Sequence, residues 1–382
     1  MSNLTIPRRT TSRRQLRAVM AVGVMVASML VGFAGTGSSA TSLPGNHARS
    51  EPAAVRTLST GWTVPWGLSW LPDGSALIGE RDSAKLFRLT RDGEKTFIGT
   101  VPEATARGSL TVDANDGVLG IAVSPCWEED HYIYVMHTAE EGNRIARMTY
   151  DGSTLGDYTV LLDGIQKDVW HNGGRLKFGP DGYLYATTGD AQNRVLAQDK
   201  DSLNGKILRM TADGKPAPGN PFDSYVYSYG HRNPQGLAWD PQGRLWESEV
   251  GENTHDELNL IEPGNNYGWP ACEGSCTNDG MTNPKAVWPT SQASPSGIVY
   301  ADGDLYMAAM RGKRLWRIPV DGAEAGTPVA HYQGQYGRLR TVEKVPGRNT
   351  LWVLTTNTDF NGRQPAGSDQ VLEVELTGGD SR

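Results

Sequence analysis

Short apolar segments alternate with glycine-containing turns along most of the chain, and their order repeats. Each unit has an apolar segment, a turn of the Pro-Asp-Gly type and a second segment rich in Leu, Tyr and Trp. Apolar segments bounded by such turns predict β-strands joined as hairpins. Six copies align, at residues 66–74, 119–125, 175–185, 236–246, 297–306 and, most loosely, 340–347.

Several units continue into a further strand in which a basic residue stands beside alternating apolar residues, as in 85–89, 144–148, 206–210 and 314–318. Each unit is therefore predicted to be a small antiparallel sheet, and a length of roughly 57 residues leaves room for four short strands. Because such a sheet cannot bury both faces alone, radial packing of six units is favoured. We predict an all-β fold, a six-bladed β-propeller of four-stranded antiparallel blades, with two tandem sandwiches as the alternative.

The first 40 residues follow another pattern. Five arginines precede an apolar run over 18–34, and Ser38-Ser39-Ala40 resembles a small-residue cleavage site. We predict that residues 1–40 are an export signal, with a twin-arginine-like pattern at 12–17, and that 41–382 form a single propeller domain, secreted or periplasmic. An uncleaved anchor is the alternative. No later segment is comparably apolar, which predicts no stable membrane insertion.

Charge and cysteine content narrow the partners and the compartment. The formal net charge of −7 becomes −12 when residues 1–40, with five Arg and no acid, are removed. A chain this acidic argues against binding to nucleic acid or to anionic lipid.

In an exported protein, Cys272 and Cys276 predict a disulfide that closes a small loop and leaves Cys126 free. A metal site is the weaker interpretation of these cysteines.

Candidate functional residues follow from the predicted topology. In a propeller the first strand of each blade lines the central channel and the second strand returns to the same face. Residues before first strands and after second strands should therefore meet at one mouth. They include Asn115, His171, Arg232, Asn233 and Arg338 on one side of the hairpins, and Arg81, Asp82, Asp190, Gly251, Glu252, Arg311 and Asn357 on the other. Arginines gathered in an acidic protein favour a small polyanionic ligand. Individually, each could instead be structural.

Several other chemistries lack their motifs in this sequence. There is no Gly-x-Ser-x-Gly elbow, no phosphate-binding Gly-Lys-Ser/Thr loop and no convincing dinucleotide fingerprint. These absences argue against a serine hydrolase, a nucleoside triphosphatase and a nicotinamide enzyme. A Cys-x-x-Cys-His motif is also missing, so no covalently attached haem is predicted.

Five motifs in one order resemble the soluble glucose/sorbosone dehydrogenase family, whose members use pyrroloquinoline quinone (PQQ). They are HNGGRL at 171–176, TGD at 188–190, YGHRNPQGL at 229–237, DELN at 256–259 and NYGWP at 266–270. The resemblance extends over roughly residues 55–375. It implies a six-bladed propeller and an oxidoreductase that oxidises the anomeric hydroxyl of aldose or related aldehyde sugars. Since the sequence shows no haem or flavin motif, we expect an external electron acceptor.

The resemblance also implies roles for individual residues. His171 matches the general base, Asp190 matches the carboxylate that orients it, and Asn115 falls near the sugar. The backbone carbonyls of Gly251 and Glu252 match those that hold the calcium ion bridging to the quinone. Contacts to the quinone are implied for Arg232, Asn233, Arg311, Arg338 and Arg340.

Some positions depart from the family pattern. Arg311 stands where Lys is frequent, Asn115 where Gln or Glu is usual, and Glu252 where Pro is usual. Val250 and Trp170 both replace polar residues. Asn115 and Trp170 would alter the sugar pocket, so the sequence does not name the sugar. Two other functions stay open: a carbohydrate- or protein-binding propeller that has lost the quinone, and a calcium-dependent lactonase. The lactonase is disfavoured because it would have acidic side chains around its metal, whereas the predicted mouth is rich in arginine.

Overall fold

The computed structural model describes residues 50–106 and 114–378. The predicted export signal at 1–40 lies outside the described residues, as does the start of the predicted domain at 41–49. Among the described residues, no helix is both long enough and apolar enough to cross a membrane.

Six sheets with antiparallel strand pairing, numbered here as blades in chain order, make up the fold. The described chain begins with β1 (Glu51–Trp62), which belongs to the last blade. Blade 1 contains β2 (Pro65–Trp70), β3 (Ala76–Glu80), β4 (Lys85–Leu89) and β5 (Lys95–Thr100). Blade 2 contains β6 (Val118–Val123), helix α1 (Trp127–Asp130), β7 (Tyr132–Thr138), β8 (Asn143–Tyr150) and β9 (Leu155–Ile165). Blade 3 contains β10 (Leu176–Phe178), β11 (Leu184–Thr188), β12 (Lys206–Met210) and β13 (Val226–Tyr229), with 3-10 turns at Arg194–Ala197 and Pro221–Asp223.

The remaining blades continue the pattern with one variation. Blade 4 contains β14 (Pro234–Trp239), β15 (Leu245–Glu249), β16 (His255–Ile261) and β17 (Ala286–Pro289). Blade 5 contains β18 (Pro295–Ala301), β19 (Asp304–Ala309) and β20 (Arg314–Asp321), and its outer position is shared by β21 (Glu324–Ala325) and β22 (Val329–His331). Blade 6 contains β23 (Leu339–Lys344), β24 (Thr350–Thr355), β25 (Asp369–Thr377) and β1 as its outer strand.

The six-bladed propeller predicted from the repeats is therefore confirmed, and tandem sandwiches are excluded. Each sequence repeat falls on the inner hairpin of a blade, and the four basic-apolar segments are third strands. The pairing of β1 with β25, from Glu51 opposite Thr377 to Trp62 opposite Asp369, joins the two ends of the described chain in one blade. The repeats gave no indication of this closure.

Hydrophobic side chains fill the spaces between neighbouring blades. Between blades 6 and 1, for example, Trp62 and Ile78 pack with Trp352 and Val371, all fully buried. Comparable clusters lie between the other neighbouring blades. Burying each large side chain stabilises the fold by about 1.5–3 kcal/mol, so the contacts between blades hold the ring together.

Arg175, directly before β10, contacts residues of blades 1, 4 and 6 across the central channel. The guanidinium of Arg175 lies 4.3 Å from the ring of Trp66, and its Nε donates to the carbonyl of Gln235 at 2.8 Å. Its Nη2 donates to Thr341 Oγ1 at 3.2 Å, and burial lowers the pKa of Arg175 to about 10. We name the opening where inner strands begin the N-terminal mouth and the opposite one the C-terminal mouth. Arg175 lies between them.

Candidate active site

A cavity of about 180 Å³ lies at the N-terminal mouth. Nine of the ten residues predicted for the site line it: Asn115, His171, Arg232, Asn233, Gly251, Glu252, Arg311, Arg338 and Arg340. The tenth, Asp190, lies behind His171 and contacts its ring. The expectation that blade entries and hairpin ends meet at one mouth is therefore confirmed. The roles of these residues remain predictions.

His171 and Asp190 form a hydrogen-bonded pair at the wall of this cavity. His171 Nδ1 lies 2.7 Å from Asp190 Oδ1, and Asp190 is fully buried. The carboxylate also accepts hydrogen bonds from Trp269 Nε1 at 2.8 Å and from the Gln192 N–H at 2.9 Å. Because Asp190 accepts hydrogen bonds through both oxygens, this geometry favours the His171 tautomer that carries its proton on Nδ1.

Close backbone contacts explain why the separate motifs converge here. His171 has a φ of +58°, a conformation that is rare for residues other than glycine. A Cβ on Gly189 would lie 1.9 Å from the His171 carbonyl oxygen, so only glycine fits beside it. The Asp190 N–H donates to the Arg232 carbonyl at 2.8 Å, and the Gly173 N–H donates to Asn233 Oδ1 at 3.1 Å. The loops of blades 3 and 4 thus hold one another in place.

Guanidinium groups that are only partly paired form another wall. Arg338 and Arg340 share the carboxylate of Asp359, with Nη2 to Oδ2 distances of 3.0 and 3.5 Å. Burial lowers the pKa of Arg340 to about 9. Within the part of the chain that the structure describes, the Nε atoms of Arg340 and Arg232 are buried without a hydrogen-bond partner. Since a buried donor without a partner is costly, this wall fits an anionic or carbonyl-bearing ligand.

The wall opposite is the loop that follows β15. The carbonyl oxygen of Gly251 accepts a hydrogen bond from Arg232 Nη1 at 2.7 Å, and its N–H donates to Asp256 Oδ1 at 2.9 Å. A Cβ at Gly251 would lie 1.7 Å from the His255 carbonyl oxygen, so the turn requires glycine. The side chain of Glu252 pairs with Arg194, which leaves its backbone carbonyl as the candidate ligand for a metal. Calcium prefers such oxygen donors.

Three more residues shape the edge of the cavity. Asn115 Oδ1 accepts from Arg81 Nη1 at 3.0 Å. The ring of Trp170 packs edge-on against Phe360 with a centroid separation of 4.7 Å. Arg311 is exposed and also lines a larger neighbouring cleft of about 1080 Å³.

Three residues that support this site, Trp269, Asp256 and Asp359, were given no role by the sequence analysis. Trp269 and Asp256 lie in the motifs NYGWP and DELN, and the buried Asp256 lines the cavity. Burial raises the pKa of Asp256 to about 6. Burial would also raise the pKa of Asp359, but Arg338, Arg340 and Arg81 hold it below the usual value. Asp359 follows the second strand of blade 6, so the placement rule could have found it.

Comparisons with known proteins agree with this architecture. Residues 62–362 match the family model described as glucose/sorbosone dehydrogenase. The PQQ-bound aldose sugar dehydrogenase from Streptomyces coelicolor is 50% identical, with a TM-score of 0.81, covering 86% of this chain and 99% of that one. Quinoprotein glucose dehydrogenase B of Acinetobacter calcoaceticus is 34% identical over 82% of this chain and 68% of its own length. Aldose sugar dehydrogenase YliI of Escherichia coli is 28% identical over 76% of this chain and 86% of its own length. The chain belongs to the glucose/sorbosone dehydrogenase family.

Proposed function

We propose that this protein is an exported, PQQ- and calcium-dependent dehydrogenase that oxidises the anomeric hydroxyl of aldose or related aldehyde sugars to lactones or acids. The observation that carries the proposal is the His171–Asp190 pair beside a cavity where two buried Arg Nε donors have no hydrogen-bond partner among the described residues. The names of the relatives support it, since they are sugar dehydrogenases and one was solved with PQQ bound. The pattern of residues 1–40 supports export.

The residues of the cavity fit the two cofactors. PQQ carries carboxylates and carbonyl oxygens, and the guanidiniums of Arg232, Arg338 and Arg340 offer donors suited to planar anionic groups. Arg311, at the open side, would add a further positive charge. The carbonyls of Gly251 and Glu252 would hold calcium, which acts as a Lewis acid toward a neighbouring carbonyl.

Each residue of the site has a distinct role in the proposed reaction. PQQ, when bound, supplies the carbonyl centre that accepts a hydride from the anomeric carbon. His171 Nε2 takes the proton of the anomeric hydroxyl, and Asp190 stabilises the resulting imidazolium through Nδ1. Loss of one proton and one hydride converts the cyclic hemiacetal to a lactone. Since Arg81 uses the oxygen of Asn115, the Nδ2 of Asn115 would contact the sugar, next to the ring of Trp170.

Reconstitution tests this function directly. Purified apoprotein is titrated with PQQ and calcium, and the quinone absorbance is followed while a panel of aldoses is added. We expect stoichiometric binding and sugar-dependent reduction, and then reoxidation by an added electron acceptor. Failure to bind the quinone at any calcium concentration would favour a binding propeller without redox activity. Lactone hydrolysis without quinone would favour a lactonase, which the arginine-rich cavity disfavours.

A further inference from the structure

The predicted disulfide between Cys272 and Cys276 is present, and it closes a loop beside the candidate metal site. Glu273 lies inside this loop, and one oxygen of its side chain accepts hydrogen bonds from the backbone of residues 252–255. Glu273 Oε1 accepts four N–H groups, from Glu252 at 2.7 Å, Asn253 at 2.8 Å, Thr254 at 2.8 Å and His255 at 3.0 Å. Hydrogen bonds to a carboxylate are among the stronger ones in proteins.

Peptide geometry connects these bonds to the cavity. In a trans peptide the N–H of one residue and the carbonyl of the preceding residue lie in the peptide plane and point in opposite directions. The Glu252 N–H points at Glu273, so the Gly251 carbonyl points away from it, toward Arg232 at 2.7 Å. The Asn253 N–H also points at Glu273, which turns the Glu252 carbonyl away in the same manner. The two carbonyls proposed for calcium therefore belong to peptides whose N–H groups are held by Glu273.

The loop that carries Glu273 is itself fixed. The disulfide joins its ends, and the Gly274 N–H donates to Glu257 Oε1 at 2.6 Å. Gly274 has a φ of +80°, and a Cβ there would lie 3.0 Å from the ring of His255. These contacts keep the carboxylate in position opposite the N–H groups of residues 252–255.

We propose that Glu273 is a positioning residue for the calcium site, holding the peptides of Gly251 and Glu252 in the orientation that calcium binding requires. This inference rests on the proposed function and deepens it. Removing the carboxylate leaves four N–H groups to find other partners, and the peptides become free to rotate. Residues that orient metal ligands typically change metal affinity by about 10–100-fold when they are replaced.

The test is the calcium dependence of quinone binding, measured by absorbance at a fixed PQQ concentration. We expect Glu273→Ala to raise the half-saturating calcium concentration by about 10–100-fold. Glu273→Gln keeps a neutral acceptor in the same place, so we expect a smaller increase in the same direction. Saturating calcium should restore full quinone stoichiometry in both variants. Glu262→Gln, an exposed acid in the same blade, is the matched control and should behave as the wild type.

The outcomes separate this inference from the proposed function. Equal calcium midpoints in the wild type and both Glu273 variants would overturn the positioning role, even if unfolding in EDTA were easier in the variants. If Glu273→Ala does not fold, the midpoint of Glu273→Gln decides the question. A wild-type protein that binds PQQ without any need for calcium would instead contradict the proposed function, and with it the basis of this inference.

Discussion

The two mouths of the central channel are built from the same hairpins, but their basic side chains differ in how completely they are paired. At the N-terminal mouth, Arg232 and Arg340 keep buried Nε atoms without partners in the described structure. At the C-terminal mouth, Lys177 pairs with Glu343 at 2.6 Å, beside the rings of Trp70 and Trp239. The cleft there, about 480 Å³, is larger than the 180 Å³ cavity that holds the candidate chemistry. Guanidinium groups that are only partly paired therefore distinguish the N-terminal mouth from the C-terminal mouth, where Lys177 has an acidic partner.

The largest effect should come from His171, the proposed base at the N-terminal mouth. Replacing His171 with Ala removes the proposed proton acceptor, and we expect kcat to fall by about 10²–10⁴-fold. Quinone affinity should stay near the wild-type value, because the arginine wall is unchanged. Stopped-flow reduction of bound quinone by sugar measures the step. Lys177→Met, at the opposite mouth, is the control and should retain full activity; substantial turnover in His171→Ala would show that another group accepts the proton.

Two buried arginines offer the next comparison. Arg340→Met removes an Nε donor that has no hydrogen-bond partner among the described residues, and we expect PQQ to bind about 100-fold more weakly. The free energy of unfolding of the apoprotein should change little, because Arg338 still pairs with Asp359 and because burying the guanidinium of Arg340 is costly. Arg175→Met is the matched variant in mid-channel, where Nε and Nη2 are bonded to Gln235 and Thr341.

Arg175→Met should lower the free energy of unfolding and leave quinone affinity unchanged. Calorimetric titration with PQQ and urea unfolding provide the two measurements for each variant. The opposite pattern, with weaker quinone binding only in Arg175→Met, would contradict the assignment of the ligand to the N-terminal mouth.

The repeats predicted the blades and the mouth because both depend on local turn and strand patterns. Placement alone brought His171, Arg232 and Arg338 together, since each precedes an inner strand. The closure of blade 6 by β1 could not be predicted, because a pairing between residues 307 to 326 positions apart leaves no local signal. The four N–H bonds to Glu273 were equally hidden, because they depend on backbone directions within a loop.

The third prediction concerns the pH dependence of stability, which should depend on a histidine in a blade core and not on either mouth. His137 is fully buried in blade 2, with Nε2 2.9 Å from Tyr158 Oη, and burial lowers its pKa to about 4. Because the unfolded chain binds this proton near pH 6.5 and the folded one near pH 4, stability should fall as the pH drops through that window. The loss should be about 2–3 kcal/mol.

Urea unfolding at pH 7, 5.5 and 4.5 measures this loss. His137→Gln, which keeps an amide beside Tyr158, should remove it, and the difference between the two proteins cancels the other groups that titrate in this range. Identical pH profiles would mean that the acid sensitivity arises elsewhere, including the carboxylates of the N-terminal mouth.

The smallest effect should come from the ion pair of the C-terminal mouth. The side chains of Lys177 and Glu343 are 20% and 11% exposed, so water still screens part of their attraction. A double-mutant cycle with Lys177→Met and Glu343→Gln should give a coupling energy of about 0.5–1 kcal/mol. PQQ affinity should be the same in all four proteins, because Arg175 and its partners separate this pair from the cavity. A tenfold change in affinity would show that the two mouths are coupled through the channel, and the contrast between them would no longer locate the site.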